Sequence, residues 1–292
     1  MVVCGWLIYP SPSMPLPNTA EIKLLILDID GTLAGDSNGV SARVKQAIQA
    51  AQAQGVRVGI ATGRMYKSAL RFHHEIGADF PLLAYQGAWI QDPATDKIHR
   101  HLPVSVEIAR ELIDYLEQPH LIDKLSIHVY RDDNLYVRDL NPDTELYVGR
   151  SGIPAYPVGD LRTALIDRPT KVLAMCEDVE LINSLLVDLR QRYHQDDVHL
   201  TTSAPIFLEA TSAGVNKGSA VGYIAKELLG ITATNVLAIG DNYNDVEMLA
   251  YAGIGVAMGN APTEVQSFAD WVAPTVSDDG VAATIEKFIL NT

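Results

Sequence analysis

Cysteine and positive charge are what this sequence has least of. Its 292 residues include only Cys4 and Cys176, far apart and without a C-x-x-C spacing. Neither a disulfide framework nor a cysteine-ligated zinc site is indicated, and the pattern fits the cytoplasm. Lys and Arg total 22 against 36 Asp and Glu, which makes the net charge −14. We therefore expect no binding to nucleic acid or to an anionic membrane.

Long hydrophobic runs are also lacking. The N-terminal stretch MVVCGWLIYPSPSMPLPNTA has no basic residue before its apolar part and is too short to cross a bilayer. We expect residues 1–20 to be a flexible tail rather than a signal peptide, and Met14 leaves an alternative translation start open. The remaining composition, 48% hydrophobic and 20% charged, predicts a folded chain of one large domain or two ordinary ones.

Strand-like and helical patterns alternate at both ends of the chain, which is typical of a parallel α/β sheet. The first part contains strand IKLLILD, a helix that Ser41 caps and Gly55 closes, and strands VRVGIAT and PLLAYQG. The last part contains helix KGSAVGYIAKELLG, strand NVLAIGD, helix NDVEMLAYAG, strand GIGVAM and a helix ending near Leu290.

The middle of the chain follows another pattern. Helices VEIARELIDYLEQ and DVELINSLLVDLRQRY flank the hairpin-like strands LSIHVYR and LYVRDL, which Asp132, Asp133 and Asn134 join. We predict an α/β fold with a Rossmann-like parallel-sheet core at residues 21–82 and 206–292. An α+β domain is expected to be inserted at residues 83–205.

Polar residues cluster at the carboxyl ends of the predicted core strands, where ligands of open α/β sheets bind. They are Asp28, Asp30, Thr62, Gly63, Asp241, Asn244 and Asp245, with Lys217 at the start of a helix. Four carboxylates in one crevice repel one another, and burying them without a cation costs several kcal/mol each. Mg²⁺ suits such oxygen ligands and can share a substrate phosphate. The acidic residues therefore indicate phosphate chemistry.

Four short motifs occur in order: DIDGTL, the Thr of ATGR, the Lys of GVNKGSA, and GDNYND. Each alone could be a turn, a helix cap or a solvated lysine, but four at predicted element boundaries rarely coincide by chance. Together they resemble haloacid dehalogenase-like phosphatases over nearly the whole chain past about residue 21. The insertion resembles the large cap of the Cof-type branch, which includes sugar-phosphate phosphatases. One departure is AYQGA, where that branch usually has Asn in place of Gln86.

The resemblance implies a role for each motif residue. Asp28 is the nucleophile that forms an aspartyl-phosphate, and Asp30 moves the protons. The Mg²⁺ ligands are Asp28, Asp241 and the backbone carbonyl of Asp30, while Asp245 orients Lys217 or a metal-bound water. Arg64 either contacts substrate or pairs at the surface. The remaining phosphate-binding groups are the backbone at Ile29 and Gly31, with Thr62, Gly63, Lys217 and Asn244.

We therefore expect a phosphatase for small phosphomonoesters, with sugar phosphates the favoured class. A phosphomutase, a receiver-like domain phosphorylated on Asp28 and a non-catalytic phosphate sensor stay open as alternatives, and the oligomeric state is not indicated. Residues of the inserted hairpin could read the leaving group, although strand alternation sends half of them to the other face. These are His128, Tyr130, Arg131 and Tyr136. His73 and His74 are expected to be surface or partly buried residues without a metal.

Overall fold

The computed structural model describes residues 22–35 and 38–291. The predicted tail at residues 1–20, with Cys4 and Met14, lies outside these residues. Within the described ranges, every helix is too short or too polar to span a membrane.

The described residues form two β-sheets and the helices that pack on them. Its strands are β1 (Leu24–Leu27), β2 (Arg57–Ala61), β3 (Leu82–Ala84), β4 (Trp89–Gln91), β5 (Ile98–His101), β6 (Ser126–Arg131), β7 (Asn134–Val137), β8 (Ala155–Pro157), β9 (Lys171–Met175), β10 (Val198–Thr201), β11 (Phe207–Ser212), β12 (Val236–Gly240), β13 (Ile254–Ala257) and β14 (Trp271–Val272). Its α-helices are α1 (Ala42–Ala53), α2 (Tyr66–Ile76), α3 (Val106–Leu116), α4 (Pro142–Ser151), α5 (Val179–Arg192), α6 (Lys217–Tyr223), α7 (Val246–Tyr251), α8 (Thr263–Gln266) and α9 (Gly280–Ile285).

The first sheet has the strand order β14-β13-β12-β1-β2-β3-β4-β5. Pairing is parallel from β14 to β3, and β4 and β5 then add two antiparallel strands. Helices α1, α2 and α9 cover one face, and α6, α7 and α8 cover the other. Because both faces are covered, β1 is apolar and buried at every position, as parallel sheets require. The predicted α/β class is confirmed.

Most helix caps and ends in this sheet lie where the sequence predicts them. Ser41 accepts a hydrogen bond from the Val44 N–H and caps α1, whose predicted apolar face is buried. Helix α6 begins at Lys217 and continues as a π-helical turn through Leu229, and the last helical segment ends at Leu290. The expected strand PLLAYQG is shorter, because the chain enters a left-handed turn directly after Ala84.

The second sheet has the order β10-β11-β9-β6-β7-β8, with helices α3 and α5 packed on a separate apolar core. The predicted hairpin is present, with Asp132 and Asp133 at φ of 50° and 53° as its turn and Asn134 in strand β7. Left-handed φ at both central residues matches the twist of the strands. We call residues 106–212, which carry β6–β11 and α3–α5, the cap.

Strand pairing differs from the expected insertion at residues 83–205. β4 and β5 extend the first sheet as an antiparallel meander, so the chain leaves that sheet only after His101. β11 pairs with β9 and β10, so the chain returns after Ser212. Short strands such as WIQ carry little periodicity, and their sheet is decided by long-range pairing. A core interrupted by a cap remains our proposal for the domain organisation.

Candidate active site

The carboxyl ends of β1, β2 and β12 meet beneath the cap, at a cavity of about 200 Å³. Asp28 follows β1, Gly63 follows β2 and Asn244 follows β12, and all three line the cavity. The parallel arrangement brings these strand ends to one edge, so residues far apart in sequence become neighbours.

Lys217 holds two carboxylates at the base of this cavity. Its Nζ lies 2.6 Å from Asp28 Oδ1 and 2.6 Å from Asp245 Oδ1, and all three side chains are buried. Burial raises the pKa of Asp28 well above its usual range, although Lys217 opposes the shift. Burial alone would lower the pKa of Lys217, but Asp245 and Asp28 outweigh it and raise that pKa. Lys217 therefore stays charged beside Asp28.

Asp245 is committed to positioning. Its second oxygen, Oδ2, accepts the backbone N–H groups of Asp241 and Asn242 at 2.9 and 3.0 Å. With Oδ1 bound to Lys217, the carboxylate fixes both the lysine and the turn that carries Asp241. Of the two roles expected for Asp245, this geometry favours the orientation of Lys217.

Asp28, Asp241 and Asp245 form the acidic cluster, with ligand atoms within 4.8 Å of one another. Thr32 donates a hydrogen bond of 3.1 Å to Asp241. Burial, followed by the charge of Asp245, raises the pKa of Asp241 to about 7. A group of carboxylates that resists full ionisation suits a hard divalent cation, which would relieve their repulsion. The donor set thus fits Mg²⁺.

Asp30 lines the cavity, has an exposed side chain and pairs with Arg64. Arg64 Nη2 lies 2.5 Å from Asp30 Oδ1, and its Nε lies 2.8 Å from Oδ2. Both residues line the cavity, and the Arg64 guanidinium also lies over the Phe72 ring. Of the two alternatives for Arg64, the structure shows pairing, but within the site rather than at a remote surface.

The turn after β1 depends on Gly31. Gly31 has a φ of 80°, and the Asp241 carboxylate occupies the space that a Cβ would need. The Gly31 N–H donates to the Ala34 carbonyl at 2.8 Å and so closes the turn. The predicted turn at Gly31 is present, and a role for its backbone in phosphate binding stays a prediction. The Ile29 side chain is buried in the core, which leaves only its backbone for the predicted role.

Gly63 and Asn244 line the cavity, and Thr62 directly precedes Gly63. Thr62 is buried, and its Oγ1 accepts the Arg64 backbone N–H at 3.1 Å. Asn244 donates from Nδ2 to Gln86 Oε1 at 3.0 Å. Gln86, which stands where the Cof-type branch usually has Asn, thus contacts a predicted phosphate-binding residue.

The cap contributes a second wall that sequence reasoning missed. Lys171 on β9 and Glu209 on β11 are buried, lie 3.4 Å apart and line the cavity. Ser203 donates a short hydrogen bond to Glu209. Tyr147 and Phe207 add aromatic surface. The sequence did contain a signal for this wall, because a charged residue in a largely apolar strand, such as the Glu of FLEATS, is rarely buried unless it is paired.

The hairpin residues that could read the leaving group do not line the cavity. His128 is buried against Ser126 and Thr144, and burial lowers its pKa to about 3. Tyr130 is buried in the sheet, while Arg131 binds the Tyr136 hydroxyl at 3.0 Å. These contacts show the side chains packed within the cap, and a leaving-group role for them is not supported.

The histidines of α2 take no part in the site. His73 is buried and bonds the Phe80 carbonyl at 2.8 Å, whereas His74 is exposed. The sequence predicted surface or partly buried residues, which holds for His74, but His73 is buried because it lies on the inward face of α2.

Residues 25–285 match the family model described as haloacid dehalogenase-like hydrolase. The chain belongs to this family. The resemblance carried by the four motifs is confirmed. Phosphatase YwpJ of Bacillus subtilis is 30% identical over 292 residues, covering 92% of this chain and 100% of that protein. The 5-amino-6-(5-phospho-D-ribitylamino)uracil phosphatase YitU of the same organism is 31% identical over 277 residues, covering 91% and 97%. This family member is accordingly an enzyme, a phosphatase.

Solved structures agree with the fold. A haloacid dehalogenase-like hydrolase from Bacteroides thetaiotaomicron superposes with a TM-score of 0.80 at 28% identity, covering 92% of this chain and all of that one. A protein from Thermotoga maritima, TM0651, gives a TM-score of 0.76 at 28% identity, covering 91% and 97%.

Proposed function

We propose that this phosphatase is Mg²⁺-dependent and hydrolyses small phosphomonoesters through an aspartyl-phosphate on Asp28. The observation that carries the proposal is the buried Asp28 carboxylate, held 2.6 Å from Lys217 at the base of the cavity. One of its oxygens is engaged by the lysine, which leaves the other to attack phosphorus. Lys217 supplies positive charge to the phosphoryl group without leaving the protein's interior.

Asp28, Asp241 and the backbone carbonyl of Asp30 would hold the metal. When bound, Mg²⁺ would offset the repulsion between the Asp28 carboxylate and the phosphate dianion. In the first step the Asp28 oxygen bonds to phosphorus, the ester P–O bond breaks, and Asp30 gives its proton to the leaving alkoxide. In the second step Asp30 takes a proton from water, the water oxygen bonds to phosphorus, and the Asp28–phosphorus bond breaks to release phosphate.

Asp30 must exchange Arg64 for the leaving-group oxygen during this cycle. Its carboxylate lines the cavity and is more than half exposed, so a leaving-group oxygen can reach it. Arg64 then holds the Asp30 side chain within the site when no leaving group is bound.

A hydroxyl-bearing leaving group is the class we favour, with sugar phosphates as the leading candidates. The cap wall presents the Ser203 hydroxyl and the aromatic surface of Tyr147, next to a Lys171–Glu209 pair whose charges balance. The name of YitU specifies a phosphorylated ribityl compound, which is a polyhydroxylated ester, and this supports the proposal by analogy.

A screen for inorganic phosphate release tests the function. Wild-type protein is offered sugar, polyol and nucleoside monophosphates with Mg²⁺, and again after chelation. We expect Mg²⁺-dependent release, fastest with polyhydroxylated esters, and the mass of one phosphoryl group on Asp28 in acid-quenched protein. Transfer between hydroxyls without release would indicate a mutase, and binding without turnover would indicate a sensor.

A further inference from the structure

Three consecutive residues after β3 adopt left-handed backbone conformations. Tyr85, Gln86 and Gly87 have φ of 52°, 60° and 93°. Glycine adopts this region freely, but bulky residues such as Tyr and Gln rarely do. Such outliers persist only where the surroundings hold them, and they concentrate at functional sites. The contacts of this turn indicate its role.

The backbone of the turn binds the loop that follows β2. The Tyr85 N–H donates to the Arg64 carbonyl and the Gln86 N–H donates to the Thr62 carbonyl, each at 2.9 Å. The Gln86 side chain also covers Gly63, since a Cβ at that position would lie 2.5 Å from Gln86 Nε2. The turn therefore fixes the loop from both its backbone and its side chain.

The buried Gln86 amide bridges two parts of the cavity wall. Its Oε1 accepts from Asn244 Nδ2 at 3.0 Å, and its Nε2 donates to Glu209 Oε2 at 3.1 Å. Lys171 completes the circuit, because its Nζ lies 3.4 Å from Glu209 Oε2 and donates to the Gly63 carbonyl at 3.0 Å. One side chain thus connects a predicted phosphate-binding residue with the cap.

We infer that Gln86 is a positioning residue, which aligns Asn244 and the Thr62–Arg64 loop with the cap during phosphoryl transfer. Its carbonyl oxygen accepts from one wall and its amino group donates to the other, so a single side chain contacts both walls at once. Asn carries the same amide on a side chain one methylene shorter and cannot keep both contacts from the same backbone. Gln is therefore required for its length. This inference rests on the proposed phosphatase function of the cavity.

A residue that aligns phosphate-binding groups acts on the phosphate shared by all substrates. Its loss should lower kcat by a similar factor for a sugar phosphate and for p-nitrophenyl phosphate. Weaker inhibition by orthovanadate, a mimic of the phosphoryl group, should accompany it. A leaving-group contact would instead affect the two esters unequally, and a purely structural residue would change stability without changing vanadate inhibition.

The test compares Gln86→Asn and Gln86→Leu in the full chain. Gln86→Leu keeps the approximate size and loses the amide, whereas Gln86→Asn keeps the amide and suits left-handed φ better than Gln does. Gln54→Asn, at the exposed end of α1, is the matched control. We expect Gln86→Leu to lower kcat roughly 10–100-fold on both esters. Gln86→Asn should show a smaller loss at an unchanged melting temperature, and the control should match wild type.

Two results would overturn the inference. One is wild-type kcat and wild-type vanadate inhibition in Gln86→Asn, which decides the matter even if Gln86→Leu fails to fold. The other is a loss confined to the sugar ester. Failure of the proposed function itself looks different, because wild-type protein would then release no phosphate and form no aspartyl-phosphate.

Discussion

The site contains two buried lysines, and the contrast between their carboxylate partners distinguishes the proposed catalytic group from a supporting one. Lys217 in the core lies 2.6 Å from each of two carboxylates, with a third, Asp241, in the same cluster. Lys171 in the cap lies 3.4 Å from the single carboxylate of Glu209. Carboxylates raise the pKa of Lys217, whereas burial lowers the pKa of Lys171.

The difference lies in charge balance. Three carboxylates exceed one ammonium in the core, so that group suits a cation and can supply a nucleophile. In the cap one carboxylate faces one ammonium, and the charge is balanced without any ligand. A balanced buried pair mainly avoids the cost of an isolated charge, while an unbalanced one is available for binding and catalysis.

The largest expected effect comes from the core group. Asp28→Asn and Asp241→Asn should each abolish turnover, the first by removing the attacking oxygen and the second by weakening Mg²⁺ binding. Phosphate release measured across a Mg²⁺ titration separates them, because excess metal should restore only Asp241→Asn. Equal recovery of Asp28→Asn would contradict its role as nucleophile.

Asp30→Asn should have the next largest effect. It keeps the backbone carbonyl but cannot transfer a proton, so attack on a sugar ester should slow by about 10²–10⁴-fold. The first step with p-nitrophenyl phosphate should survive better, since that leaving group needs little protonation. Acid-quenched mass spectrometry should then show phosphoryl-Asp28 accumulating. A wild-type ratio of the two esters without trapped intermediate would rule out the proton role.

Replacing one carboxylate by an amide at each lysine compares the two pairs directly. Asp245→Asn should lower kcat roughly 10–100-fold, because Lys217 and the turn carrying Asp241 lose their anchor. Its stability should change less, since Asp28 still balances Lys217.

Glu209→Gln should show the opposite profile. Gln keeps a carbonyl acceptor for Gln86 but leaves Lys171 without a counter-charge, so unfolding free energy should fall by up to about 3–5 kcal/mol. Much of kcat should remain. Denaturant unfolding and steady-state kinetics on both variants provide the comparison, which fails if Glu209→Gln loses activity without losing stability.

The smallest effect is expected in the cap hairpin. Arg131→Ala removes a hydrogen bond to Tyr136 and a ring contact at 4.7 Å, so stability should fall by about 1 kcal/mol while kcat and KM stay unchanged.

Tyr147→Ala, at a residue that does line the cavity, should change KM for sugar esters more than for aryl esters. If the two variants behaved alike, the cavity would not be the leaving-group site.

The core part of the site could be predicted from the sequence because its signals are local. Asp28, Thr62, Lys217 and Asp241 each mark the end of a strand or the start of a helix, and a parallel sheet gathers those ends at one edge. The fold class followed from the same alternation of strands and helices. The family resemblance then assigned roles that local chemistry alone left open.

The cap half depended on tertiary structure. Nothing near Lys171 or Glu209 in the sequence says that β9 and β11 are neighbours, because strand pairing is set by long-range register rather than by local pattern. The same holds for β4 and β5, and for the hairpin side chains, whose outward or inward face is decided by what packs against the sheet. Gln86 shows the limit most clearly. The sequence marks it as a departure at a turn, but only the folded chain brings Asn244 and Glu209 within reach of its amide, since those partners lie 158 and 123 residues away.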